Sequence, residues 1–250
     1  MSLHSLGVIP ARYASSRFPG KPLVMIDGRS MIMRVYDQVL KSRSLGKVIV
    51  ATDDERIFKH VRDCGGEVMM TAEHHVSGTS RIGEVVNALV SENQHFDVVV
   101  NIQGDEPFID PSLIDLVVSL FKNDEVHIST LISKITENDD IFNSNVVKVV
   151  VDKNGKAQYF SRSPIPYLRG TDQANWFSSH QYFRHIGLYA FRADVLKSIV
   201  MLPASPCEVA ESLEQLRWQF HGYSIYTALT EIATVGIDTP EDLLKLTNNA

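Results

Sequence analysis

Three cations stand within one short loop near the start of the chain: Arg12, Arg17 and Lys21 in IPARYASSRFPGKPL, directly after an apolar run. Two guanidiniums and an ammonium beside Gly20 call for a negative partner. The loop is not the dinucleotide fingerprint, because Gly20 is the only glycine between Ile9 and Asp27. Nor is it a Walker-type phosphate loop, since Pro22 follows Lys21. What remains is a site for an extended polyphosphate, such as the tail of a nucleoside triphosphate. Any one of these cations alone would more often decorate a solvated loop. The three together at the end of the first strand argue for phosphate.

A polyphosphate calls for a divalent metal, and VVVNIQGDEP closes an apolar run with Gly104, Asp105, Glu106 and Pro107. Magnesium takes one or two carboxylates together with phosphate oxygens and waters, so Asp105 is a candidate ligand. Asp238 in TVGIDTPED is a candidate second ligand, although Asp238 or Thr239 ahead of Pro240 also reads as a helix cap.

The elements that must position these groups follow from hydrophobic periodicity. SLGVIP, KVIVAT, EVMMT and DVVVNIQ read as strands, separated by helical periods in SMIMRVYDQVLKS, DDERIFKHVRDCG and RIGEVVNALVSEN, with PSLIDLVVSLF next. This alternation predicts an α/β chain with an open, doubly wound, mostly parallel sheet. From about residue 125 the strands VHISTLISKI, NVVKVVVD and AQYFSRS are separated by turn chemistry, which predicts a smaller antiparallel sub-lobe over 125–190 within one domain of 1–250. A polar loop in RGTDQANWFSSHQ, a strand HIGLYAF and a helix ADVLKSIVML come next. EVAESLEQLRWQF predicts one further helix with Val209, Leu213, Leu216 and Phe220 on one face.

At 250 residues and 44% hydrophobic the chain can bury a full core, which excludes wholesale disorder. A formal charge of -6 argues against a nucleic-acid partner. Cys64 and Cys207 form no CxxC pair, so neither a zinc site nor a disulfide framework is expected. With no apolar run of membrane-spanning length, the expectation is a cytoplasmic protein without a membrane partner.

IPARYASSRFPGKPL, VATDDERI, SGTSR, NIQGDEP, VKVV, YFSRSPIP, RHIGLYAF, LEQLR and GIDTPEDL lie in this order along almost the whole chain. In this respect the sequence resembles the bacterial 3-deoxy-manno-octulosonate (Kdo) cytidylyltransferases, the CMP-Kdo synthetases. The resemblance implies a nucleotide-diphospho-sugar transferase-like fold. It also implies that CTP and Kdo give CMP-Kdo and pyrophosphate with Mg2+, for lipopolysaccharide assembly, in a homodimer formed through the antiparallel part. Arg12, Lys21 and Asp105 would then be catalytic, with Asp105 and Asp238 on the metal. Ala11, Arg12, Arg17, Lys21, Thr71, Ser77, Gly78 and Thr79 would bind the nucleotide. Arg81, Gln103, Arg162, His185, Tyr189, Glu214 and Gln215 would bind the sugar.

Plainer readings stand beside these. Thr79 or Ser80 could simply cap a helix, Arg162 could be a surface ion pair, and Glu214 could pair with Arg217 three residues on. Ser80 stands where the family pattern has an acidic residue, which leaves Arg81 without an evident charge partner. The acceptor could also be 8-amino-Kdo or a sialic acid, and the fold could serve a non-catalytic nucleotide-binding protein.

Overall fold

Because β1 (Ser5–Ala11) is buried along nearly its whole length, both of its faces must be covered, as they are in the centre of a parallel sheet. The computed structural model describes residues 3–14, 18–234, 236–237 and 239–247, and the chain divides into two compact units, 1–118 with 234–250, and 119–233.

In the first unit, β1 is followed by a small hairpin of β2 (Met25–Ile26) and β3 (Arg29–Ser30), which turns through Asp27 and Gly28. Then come α1 (Met31–Val39), β4 (Lys47–Thr52), α2 (Glu55–Asp63), β5 (Val68–Met70), α3 (Gly78–Ser91), β6 (Val98–Asn101) and α4 (Pro111–Ser119). Helix α2 shows why these segments are helical. Ile57 and Val61, four apart, are wholly buried, and the Asp54 carboxylate caps the helix by accepting from the Arg56 amide at 2.9 Å.

Strand β1 pairs in parallel with β4 on one side and β6 on the other, and β4 pairs with β5. The spatial order is therefore β6-β1-β4-β5. The chain builds outward from β1 through β4 to β5, then crosses back to place β6 on the opposite side of β1. In open α/β sheets that reversal opens a crevice beyond the carboxyl ends of the two strands, here β1 and β6, where ligands bind.

The second unit holds β7 (Ile128–Lys134), α5 (Asn138–Phe142), β8 (Lys148–Val151), β9 (Ala157–Ser161), α6 (Trp176–Ser179) and β10 (Phe183–Arg192). It continues with α7 (Ala193–Ile199), α8 (Pro206–Glu211), α9 (Gln215–Phe220) and β11 (Ile225–Leu229). The expected antiparallel segment lies inside this unit. β10 runs antiparallel to β7 and β8, β8 antiparallel to β9, and β11 parallel to β7. The last helix, α10 (Pro240–Thr247), belongs to the first unit.

Two expectations are corrected here. The single helix over EVAESLEQLRWQF is two short helices, because Ser212 adopts the left-handed conformation at φ 52° and ψ 47°. That break dissolves the expected apolar face: Leu213 and Leu216 are buried, but Val209 and Phe220 are 71% and 60% exposed. The polar loop RGTDQANWFSSHQ carries helix α6, and Trp176 anchors it by packing with Ile135, Ile141 and Tyr182 while its indole donates to the Thr171 carbonyl at 3.0 Å.

Candidate active site

Lys21 and Asp105 meet at the switch point of the first unit. The ammonium reaches Asp105 Oδ2 at 2.7 Å and the Ile237 carbonyl at 2.9 Å. Ile237 in turn donates its amide to the Asp105 carbonyl at 2.9 Å. The loop after β1, the loop after β6 and the segment leading into α10 are thus tied together by one lysine, one carboxylate and three backbone groups. Gly20 makes the approach possible: at φ 72° it accepts a conformation that a side chain would strain, and an added Cβ would stand 3.1 Å from the Tyr13 ring. The same ring lies under Arg56, with 3.3 Å between the guanidinium carbon and the ring centroid.

Arg12, one residue past β1, donates to the His75 carbonyl, so a cation expected on phosphate also grips the 71–77 loop. Burial lowers its pKa, neighbouring Arg81 lowers it further, and Asp53 opposes both. Ala11 is buried as the last residue of β1. Arg17 and Asp238 lie outside the described residues.

For a magnesium ion the donor chemistry fits. Asp105 offers a partly exposed hard oxygen donor in the loop after β6, and its carbonyl accepts from the Ile237 amide. Adjacent Glu106 behaves differently, for burial and then the Asp105 charge push its carboxyl up to about 7. Among the described residues no three His, Cys, Asp or Glu side chains converge as a metal-binding group. That is compatible with an ion held largely by phosphate and water.

The 71–79 loop is more constrained than its sequence suggests. Ser77 is the helix cap in place of Thr79 or Ser80: its hydroxyl accepts from the Ser80 amide at 3.2 Å, and the Ser80 side chain completes a capping box. Gly78 packs on Pro10, whose ring lies 3.1 Å from where a Cβ would stand. Thr79 is buried.

Arg81 does not lack a partner, and it is not open to a sugar. It is wholly buried, with one guanidinium nitrogen on Asp53 and another on Thr71 Oγ1. Asp53, one residue past β4, supplies the charge that Ser80 does not, and Thr71 accepts from Arg81 through its hydroxyl oxygen. Glu84, one helical turn beyond Arg81, accepts from the Ala72 amide at 3.0 Å and pairs with the His75 ring. Burial raises the Glu84 pKa, but these hydrogen bonds outweigh it and leave it lowered. Asp53, His75 and Glu84 were missed as site residues, although TDDER and the three-residue spacing from Arg81 to Glu84 carried the signal.

The expected sugar residues outside the first unit cluster in the second, while Gln103 is half-buried two residues past β6. His185 and Tyr189 do share a face, with ring centroids 5.2 Å apart, but through a bulge in which Gly187 and Leu188 are extra. The Thr130 hydroxyl reaches the carbonyls of Ile186 at 3.0 Å and Leu188 at 2.9 Å, and lies 3.0 Å from His185 Nε2. With the hydroxyl proton on a carbonyl, Nε2 is the donor and Nδ1 is left as an acceptor. Burial pushes the His185 pKa down to about 3, which keeps the ring neutral. The Tyr189 phenol is pushed well above its ordinary range by burial and then by Glu214.

Arg162 is no surface ion pair. Its side chain donates to the carbonyls of Glu211 at 2.6 Å and Ser144 at 2.9 Å. Arg217 forms a forked pair with Glu208 at 2.7 and 2.6 Å, and the Glu214 charge adds to the rise that this pair gives its pKa. Gln215 is buried, and its Nε2 has no hydrogen-bond partner among the described residues.

An open parallel sheet with a cationic loop after β1 and an acidic loop after β6 makes this an α/β protein with a candidate ligand site at its switch point. The chain belongs to the cytidylyltransferase family, whose profile matches residues 6–228. It is 51% identical over 246 residues to a 3-deoxy-manno-octulosonate cytidylyltransferase of Cytophaga hutchinsonii, covering 98% of this chain and 97% of the relative. A protein of the same name from Parabacteroides distasonis is 51% identical over 244 residues, covering 96% and 95%. A solved CMP:2-keto-3-deoxy-manno-octonic acid synthetase complexed with CTP is similar in structure, with a TM-score of 0.89 at 41% identity and 98% coverage of both chains.

Proposed function

We propose that this chain transfers the cytidylyl group of CTP to Kdo, giving CMP-Kdo and pyrophosphate for lipopolysaccharide assembly in the cytoplasm. The observation that carries the reading is the Lys21, Asp105 and Ile237 junction at the β1/β6 switch point, the place where a triphosphate and its counter-ion would be handled. The acceptor's anomeric oxygen bonds to the α-phosphorus, the bond from that phosphorus to the bridging oxygen breaks, pyrophosphate leaves, and the hydroxyl proton is lost to the medium.

This chemistry asks the protein for positioning and charge. Arg12, Arg17 and Lys21 hold the phosphates and neutralise the charge that builds on the leaving group. Asp105 and Asp238 would hold magnesium, which when bound polarises the α-phosphate. The Ser77, Gly78 and Thr79 segment lies beside the base. In the second unit, the neutral His185 offers Nδ1 to an acceptor hydroxyl, and the unpaired Gln215 amide offers a donor.

A homodimer through the second unit is part of the same reading. β9 pairs only with β8 among the described residues, and Tyr159 on it is exposed. Sedimentation of the purified chain at twice the monomer mass, 28.0 kDa, supports this, and sedimentation at the monomer mass rejects it.

The test of function is pyrophosphate release from CTP and magnesium with Kdo, 8-amino-Kdo or N-acetylneuraminate, and with no sugar as blank. Release with Kdo alone is the expected result. Release with another sugar alone replaces the acceptor, and silence with all three from protein that binds CTP overturns the catalytic reading.

A further inference from the structure

Lys148 lies in the VKVV run, on β8, with no exposed surface. Its ammonium gives one hydrogen bond to each of three carbonyls, Asn143 at 2.8 Å, Val146 at 2.6 Å and Arg162 at 2.6 Å. An ammonium has three N–H donors, so every one is committed. Burial lowers the Lys148 pKa, Glu211 opposes that, Arg162 adds to it and Asp140 opposes it. Keeping a charge at a core position is expensive, and an apolar residue of similar volume would fill the space at no such penalty. The ammonium is therefore explained by what it holds.

What it holds is Arg162. The carbonyl of that residue is fixed by Lys148, and its amide is fixed by Glu211 Oε2 at 2.8 Å. Glu211 Oε1 takes the Ser161 hydroxyl at 2.6 Å, while the Arg162 side chain returns to the Glu211 carbonyl. Glu211 ends α8, Ser212 makes the left-handed turn, and Glu214 and Gln215 follow directly. One buried network thus sets Arg162, the 143–146 loop and the turn that presents Glu214 and Gln215. Lys148 and Arg162 stand against Glu211 and Asp140, and Arg184 lies 3.8 Å from Asp140.

We propose that Lys148 and Glu211 are positioning residues for the anionic acceptor, acting through Arg162 and the Ser212 turn without touching the sugar. The inference rests on the Kdo reading above. Its test is steady-state kinetics of Lys148→Met and Glu211→Gln with Kdo at saturating CTP, beside the dissociation constant for CTP measured without acceptor. Both variants should raise the KM for Kdo at least about tenfold, move kcat less, and leave CTP binding within about twofold.

The two substitutions change the local charge in opposite directions. A rise in one and a fall in the other would mean that only the field matters, and would overturn positioning. Equal loss of CTP binding, or unchanged KM in both folded variants, would also overturn it. If Lys148→Met does not fold, Glu211→Gln decides alone, because it keeps side-chain shape while removing an acceptor. Wild-type turnover is the control: its absence with Kdo, in protein that binds CTP, removes the acceptor reading and not the network.

Discussion

Lys21 and Asp105 pair where both side chains keep some access to solvent, 14% and 29% exposed, so the contact adds little to stability, about 1 kcal/mol or less. Its value is chemical. Lys21→Met and Asp105→Asn should each depress pyrophosphate release by about a hundredfold or more while the unfolding midpoint stays near wild type; a variant that keeps normal turnover removes its residue from the site. His185 allows a sharper test. Its folded pKa, about 3, lies below the unfolded value of about 6.5, so between the two the unfolded chain binds more protons. The contribution of His185 is fully present above about pH 6.5 and is lost as pH falls toward 3, so stability rises with pH in that window. Imidazole nitrogen spectra should show a neutral Nε2–H ring from about pH 5 to about pH 8, and His185→Gln should flatten the acid limb of the stability curve. A ring that charges near pH 6 would refute the assignment. Lys21 and Asp105 stood out in the sequence by their charge at the ends of apolar runs, whereas His185 came only with the family resemblance. The sequence hid Lys148 and the Asp53 to Arg81 pair, because a buried cation in an apolar run declares nothing about the carbonyl or carboxylate that awaits it.

At the scale of elements, strands were legible wherever one short apolar run filled one buried strand: KVIVAT is β4 without a residue added or lost. Helices were legible where four-residue spacing met a cap, as with Ile57, Val61 and Asp54 in α2. The failure at α8 and α9 has a specific cause. The periodicity of Val209, Leu213, Leu216 and Phe220 continues through Ser212, but Arg162 draws off the Glu211 carbonyl and the backbone turns left-handed. No local pattern reports a partner that lies 49 residues away. Since a left-handed residue strains any side chain, Ser212→Gly should leave stability unchanged or raise it by about 0.5–1 kcal/mol, and Ser212→Val should lower it by about 1–2 kcal/mol, as read from denaturant midpoints. A clear loss in Ser212→Gly would show that the turn depends on the serine side chain. Ser77→Ala, which deletes the cap of α3, should lose about 1 kcal/mol in the same assay.

For the molecule as a whole, alternation of strand and helix was enough to predict the open parallel sheet, and the change of character near residue 125 announced the antiparallel strands. The expected sharing of one metal by Asp105 and Asp238 already implied that the far end of the chain returns to the first unit, and residues 234–250 do belong to it. Lys21 meets the Ile237 carbonyl across 216 positions, so the candidate triphosphate site is complete only after residues 234–250 return to it. This division assigns the two substrates to different stretches of chain, and hydrogen exchange can read it. CTP with magnesium should slow exchange in 11–21, 71–79, 103–106 and 236–243, all within the first unit, because ordering those loops lowers the population of their open states. Adding CMP-Kdo in place of CTP should extend protection to 143–147, 161–163 and 211–216 in the second unit. If CTP alone protected the second set as strongly as the first, the assignment of Arg162, Glu214 and Gln215 to the acceptor would fail, and Lys148 would have to be reread as support for the nucleotide. Protection confined to the first set would keep the substrates on separate residues, and the Lys148 and Glu211 variants would then alter only the second set.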